Sequence, residues 1–168
     1  MKRSSIAVSL AVGLFLSALG AAQDAKKPGV LGAQEVKKLV PAAYYFAGQS
    51  GAVQARNSVG FRTASGKTVL AGLMDTTGYA SDIQQKFQGF LITETKLKVG
   101  GAELPPGQYG FGFTKDGKFV VMDVGSNDLL SVTAASDDKL AHPVPLKMTA
   151  DGGAYKLYGG KQWVALQP

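Results

Sequence analysis

The chain has 168 residues and a formal net charge of +6, with 18 Lys and Arg against 12 Asp and Glu, a single His and no Cys. The missing cysteine excludes disulfides, a lipid-modified cysteine start and thiolate zinc ligands, and one histidine excludes any site built on two. Basic residues fall singly or in pairs such as Lys26-Lys27 and Lys37-Lys38 with no arginine-rich stripe, a solvated mixed-charge pattern that argues against a nucleic-acid partner.

At the N-terminus, Lys2 and Arg3 precede an uncharged, mostly apolar run from Ile6 to Leu19. That run is shorter than the roughly 20 residues a membrane-spanning helix needs. Gly20 and Ala22 put small residues at the two positions that matter for a cut after Ala22. The pattern predicts a cleavable signal peptide over 1–22. The exported chain is expected in the periplasm or outside the cell, neither lipid-anchored nor membrane-spanning. Residues 23–32 (QDAKKPGVLG) read as a flexible leader, and 33–168 as a single β-rich domain.

Residues 33–40 (AQEVKKLV) predict a short helix with Val36, Leu39 and Val40 on one face, stopped by Pro41. Extended segments follow at 42–47 and 53–63, with Gly60 a candidate bulge. Ser65-Gly66 turns the chain into a strand at 67–74. Ser81 and Gln84 have capping-box spacing, so 82–88 is expected as a helix that Gly89 ends. From Phe90 the chain reads as a meander. Strands are expected at 90–99, 108–114, 118–124, 129–134, 144–150, 154–158 and 161–166, separated by Gly, Pro, Asn and Asp turns.

The expected fold is mostly β: a single antiparallel β-barrel or β-sandwich of about 8–10 short strands with one or two short helices. An outer-membrane barrel fits poorly, because VLAGL and FVVM are apolar on both faces and no aromatic girdle is evident.

One strand has two readings. In 108–114, Tyr109, Phe111 and Phe113 point one way and Gly110 and Gly112 the other. Either the aromatic row faces the core and the glycines let the sheet bend, or the bare face is a floor where a ligand meets the backbone.

Phosphate motifs fail on context. Ser65-Gly66-Lys67-Thr68 lacks the upstream glycine in register and runs into a strand-like segment, and the glycines at 107, 110 and 112 open no helix. His142 lies in His-Pro-Val-Pro, a connection entering a strand, and no Gly-x-Ser-x-Gly elbow is present. Asp123, Asn127 and Asp128 offer oxygen ligands as a calcium candidate, but off the EF-hand spacing; a turn stabilised by Asn and Asp side chains is the simpler reading. No cofactor is implied.

The densest mixture of aromatic and polar groups spans 44–57. It makes Tyr44, Tyr45, Arg56 and Asn57, together with Tyr109, the ligand-binding candidates. Arg56 is the natural partner of a carboxylate or phosphate. The expected function is a non-enzymatic module binding a small molecule or a cell-envelope component. One alternative is a saccharide hydrolase using converging carboxylates among Asp75, Asp82, Glu94 and Glu103. Another is an assembly subunit pairing through a sheet edge.

Overall fold

The computed structural model describes residues 27–168; the expected signal segment and the first part of the leader lie outside the described residues. In chain order the elements are β1 (Gly29–Val30), α1 (Ala33–Leu39), β2 (Ala43–Phe46), β3 (Gln49–Arg62), β4 (Thr68–Met74), α2 (Ser81–Gln84), β5 (Gly89–Thr93) and β6 (Leu97–Val99). They continue with β7 (Ala102–Leu104), β8 (Gly107–Phe113), β9 (Lys118–Met122), β10 (Asp128–Thr133), β11 (Ala135–Ser136), β12 (Val144–Asp151), β13 (Ala154–Gly160) and β14 (Gln162–Gln167).

The strands form two antiparallel sheets in a sandwich-like fold that does not close. The eight-stranded sheet runs β1-β3-β4-β5-β8-β9-β10, with β2 also beside β3. The six-stranded sheet runs β12-β13-β14-β6-β7, with β11 also beside β14. Of the two architectures expected, the sandwich is the one formed.

Strand alternation gives the large sheet two apolar faces. Phe61, Val69, Leu91, Phe111, Phe119 and Val121 face the small sheet and pack on its Leu97, Met148, Leu157, Val164 and Leu166. Leu70, Phe90, Val120 and Met122 face the other way. They are covered by Val36 of α1, Tyr44 and Phe46 of β2, and Tyr79 and Phe87 on either side of α2. This second layer is why VLAGL and FVVM are apolar at consecutive positions.

The cover also resolves the bare face of β8. Tyr109, Phe111 and Phe113 do sit in the inner core. On the opposite face, a Cβ at Gly110 would lie 2.3 Å from the Phe46 ring, and one at Gly112 would lie 2.1 Å from the Lys86 carbonyl oxygen. The glycines admit a covering segment of the chain itself, so the space of a ligand floor is already filled. Phe46 stacks on Phe87 with centroids 3.8 Å apart, tying β2 to the α2 segment above these glycines.

Several local expectations are corrected. Gly29 and Val30 pair with Arg62 and Phe61, and Leu31 is buried, so the end of the expected leader belongs to the sheet. Leu39 is exposed, leaving Val36 as the anchor of α1. The second helix is one turn at 81–84. Its N-cap is Ala80 with no side-chain cap bond, and Gln84 donates instead to the Tyr79 carbonyl at 2.6 Å. Gly89 opens β5, because a Cβ there would lie 2.0 Å from the Gly72 carbonyl oxygen of the paired strand.

The segment 90–99 is two strands in different sheets. The chain crosses at Thr93–Lys96, where the Thr93 hydroxyl donates to the Thr95 carbonyl. Gly60 pairs regularly with Leu70; the irregularity of β3 lies earlier. Between Val53↔Met74 and Ser58↔Gly72, β3 advances five positions against two on β4, leaving three surplus residues in a bulge.

Candidate functional site

The fold separates the sequence-predicted ligand residues. Tyr44 and Tyr45 point to opposite faces of β2: Tyr44 is buried in the outer layer and Tyr45 is 56% exposed. Tyr44 stacks on Phe90 at 5.5 Å, and its hydroxyl is buried without a hydrogen-bond partner. Burial, then the neighbouring Tyr79, pushes its pKa up to about 12. Tyr109 lies on the far side of the sheet, with its hydroxyl donating to the Pro105 carbonyl at 2.9 Å. The three tyrosines therefore form no common pocket. Arg56 and Asn57 do stay together, on the β3 bulge.

The calcium candidates are engaged by protein groups. The Asp123 carboxylate accepts from the Gly125 and Asn127 backbone N–H groups, each at 2.9 Å, and from the Asn127 side-chain amide. Asn127 and Gly125 hold its pKa below the usual carboxylate value. Asp128 turns to Lys86 at 2.5 Å. Among the described residues, no group of three or more His, Cys, Asp or Glu is placed to hold a metal ion.

Three of the hydrolase candidates are each engaged by a local partner. Asp75 accepts from the backbone and hydroxyl of Thr77. Glu94 accepts from the hydroxyl and backbone of Thr68 at 2.6 and 2.7 Å, and Glu103 pairs with Lys96 at 3.0 Å. These bonds stabilise the ionised form and lower all three pKa values. Asp82 lies elsewhere, beside Lys86, Lys115 and Asp116 in a surface concavity. His142 is exposed on the loop before β12.

A cleft of about 680 Å³ opens where the two sheets part at one end of the sandwich. Leu73 and Met74 at the end of β4, Phe113 at the end of β8, and Val144 and Pro145 at the start of β12 give it apolar surface. Three glutamines stand at its rim, each fixed by a backbone carbonyl. Gln54 donates to Met74 at 3.1 Å, Gln88 to Phe113 at 3.0 Å and Gln162 to Thr114 at 3.4 Å. Gln88 also accepts from the Phe113 N–H at 3.0 Å, so its amide continues the ladder at the end of β8. Lys115 stands on the same rim and enters none of the ion pairs among the described residues.

A second concavity, of about 650 Å³, lies between α1 and the β3 bulge. It is lined by Ala33, Gln34, Lys37 and residues 54–58, and shares Gln54 with the cleft. Sequence reasoning found its Arg56 and Asn57; of the cleft residues it placed Gln54 in the aromatic and polar stretch 44–57 and Phe113 in the aromatic row of 108–114, and joined neither to a cleft. The cleft gathers side chains from 54 to 162, and a solitary Gln before or after a strand carries no signal of its neighbours.

No protein-family model, curated protein or solved structure matches the chain.

Proposed function

We propose that the chain is an exported, non-enzymatic binding module that takes a small amphipathic molecule in the cleft at the open end of the sandwich. The observation that carries this reading is the pairing of an apolar floor (Leu73, Met74, Phe113) with a rim of backbone-fixed amides and the Lys115 ammonium. Binding sites join apolar surface to a few fixed polar groups in this way. Rim groups already held in place lose little freedom when a ligand arrives. The apolar body of the ligand lies on the floor, and its polar or anionic end faces Lys115.

Catalysis is the weaker reading. A glycosidase needs one carboxyl held protonated near neutral pH. Asp75, Glu94 and Glu103 are shifted the other way. Assembly through a sheet edge draws on the exposed Leu129 of edge strand β10 and Val30 of edge strand β1. A monomer by sedimentation at high concentration would remove it.

Native mass spectrometry of the protein purified from its exported fraction tests the binding reading. Wild type should carry a small molecule at one to one, released on denaturation. Thr76 also lines the cleft, and Thr76→Trp, whose indole would occupy it, should not carry the molecule. An exported protein found only ligand-free would contradict the proposal. The same spectrum reads the export: the mature chain should begin at Gln23.

A further inference from the structure

We propose that the concavity between α1 and the β3 bulge is an oxyanion site, taking the phosphate or carboxylate group of a second ligand between Lys37 and Arg56. Both cations line it, and neither enters an ion pair among the described residues. No Asp or Glu lines it. Glu35, the neighbour of Gln34 on α1, is already bound to Arg62. Two uncompensated cations in one hollow raise the local potential and draw in an anion. Gln34 and Asn57 add amide groups beside them.

The bulge is built to hold this arrangement. The Gln54 amide donates to the Met74 carbonyl at 3.1 Å. Its oxygen accepts from the Asn57 amide at 2.7 Å, and the Ser58 hydroxyl donates back to the Gln54 carbonyl at 3.1 Å. Arg56 thus projects from a loop stapled on both sides. The guanidinium fork matches two oxygens of a carboxylate or phosphate at once, which an ammonium does not. The site touches the amphiphile cleft only through Gln54, and stands or falls separately from it.

Free phosphate and a lipid headgroup present the same chemistry, and two arms separate them. The first is a titration of the 15N-labelled mature protein with inorganic phosphate. The second is co-sedimentation with phosphatidylcholine vesicles with and without phosphatidylglycerol. Saturable shifts at Gln34, Lys37, Arg56 and Asn57 support the site and a soluble source. Capture by the anionic vesicles alone supports the site and a headgroup source. In whichever arm binds, Arg56→Gln and Lys37→Gln should each weaken binding by about tenfold, and Arg56→Lys by several-fold. Both side chains are exposed, so the thermal midpoint should not move. No binding in either arm overturns the proposal. So do shifts spread evenly over the lysines without saturation, or unchanged binding in Arg56→Gln.

Discussion

The two faces of the large sheet bury similar chemistry by different means. The inner face meets another sheet, and regular strands supply both halves of the contact. The outer face meets a patchwork of one short helix, a two-strand hairpin arm and a single helical turn. A sheet against a sheet needs only alternation. A sheet against irregular chain needs room, and the glycines at 110 and 112 supply it where the Phe46 ring and the Lys86 backbone press on β8. With both faces filled, space for a ligand is left at the rim, where the sheets part and where β3 bulges.

Backbone contact is the least forgiving part of the outer face. Gly112→Ala puts a Cβ against the Lys86 carbonyl of the cover, while Gly89→Ala, as the comparison within the sheet, puts one against the Gly72 carbonyl of β4. Each is expected to cost about 3 kcal/mol or more, read from urea unfolding. A smaller loss in Gly112→Ala would mean that the cover is loosely seated. Truncating one ring from each face compares the layers directly. Phe46→Ala outside and Phe119→Ala inside, both fully buried, should each cost about 3–5 kcal/mol in one cooperative transition. A separate early transition in Phe46→Ala would make the cover an independent unit.

Tyr44 is the imperfection of the outer layer. Its hydroxyl is buried and unpaired, so Tyr44→Phe should stabilise by about 1 kcal/mol. Its folded pKa, about 12, stands above the ordinary 10. The folded state therefore holds the phenolic proton more tightly. This contribution to stability is complete below pH 10 and is lost as pH rises from 10 through 12. Tyr44→Phe should flatten that alkaline arm in thermal melts taken across the range. On the acid side, Asp75, Glu94 and Asp123 have lowered folded values. Their contribution is present above the ordinary carboxylate range and fades as pH falls through the lowered values. The smallest effect belongs to the exposed Lys96–Glu103 pair, where Lys96→Ala should leave the urea unfolding midpoint where it is in wild type.

Local rules reached most strands because Asp116-Gly117, Ser65-Gly66 and Asp151–Gly153 mark hairpins whose chemistry is contained in two or three residues. They missed the break at Thr93–Lys96, because nothing between Phe90 and Val99 interrupts strand propensity; the crossover is decided by which sheet each half joins. They placed the bulge at Gly60, where a glycine stood, whereas the surplus residues lie at 54–57 with no glycine among them. Among the tyrosines, adjacency in sequence suggested a pocket, and strand alternation sent Tyr44 and Tyr45 to opposite sides. Arg56 and Asn57 stayed together because a bulge keeps neighbours near one another. The cleft was illegible because its walls come from β3, β4, β8, β12 and β13, brought together only by the sandwich.

If the interior is full on both faces and ligand space lies at the rim, amide shift mapping with a small anionic amphiphile such as decanoate reads the difference most directly. The account predicts saturable shifts centred on Leu73, Gln88, Thr114, Lys115 and Gly160, with Phe61, Leu91 and Phe111 unmoved. Shifts centred on those interior amides, or no saturable shift at the cleft, would contradict it.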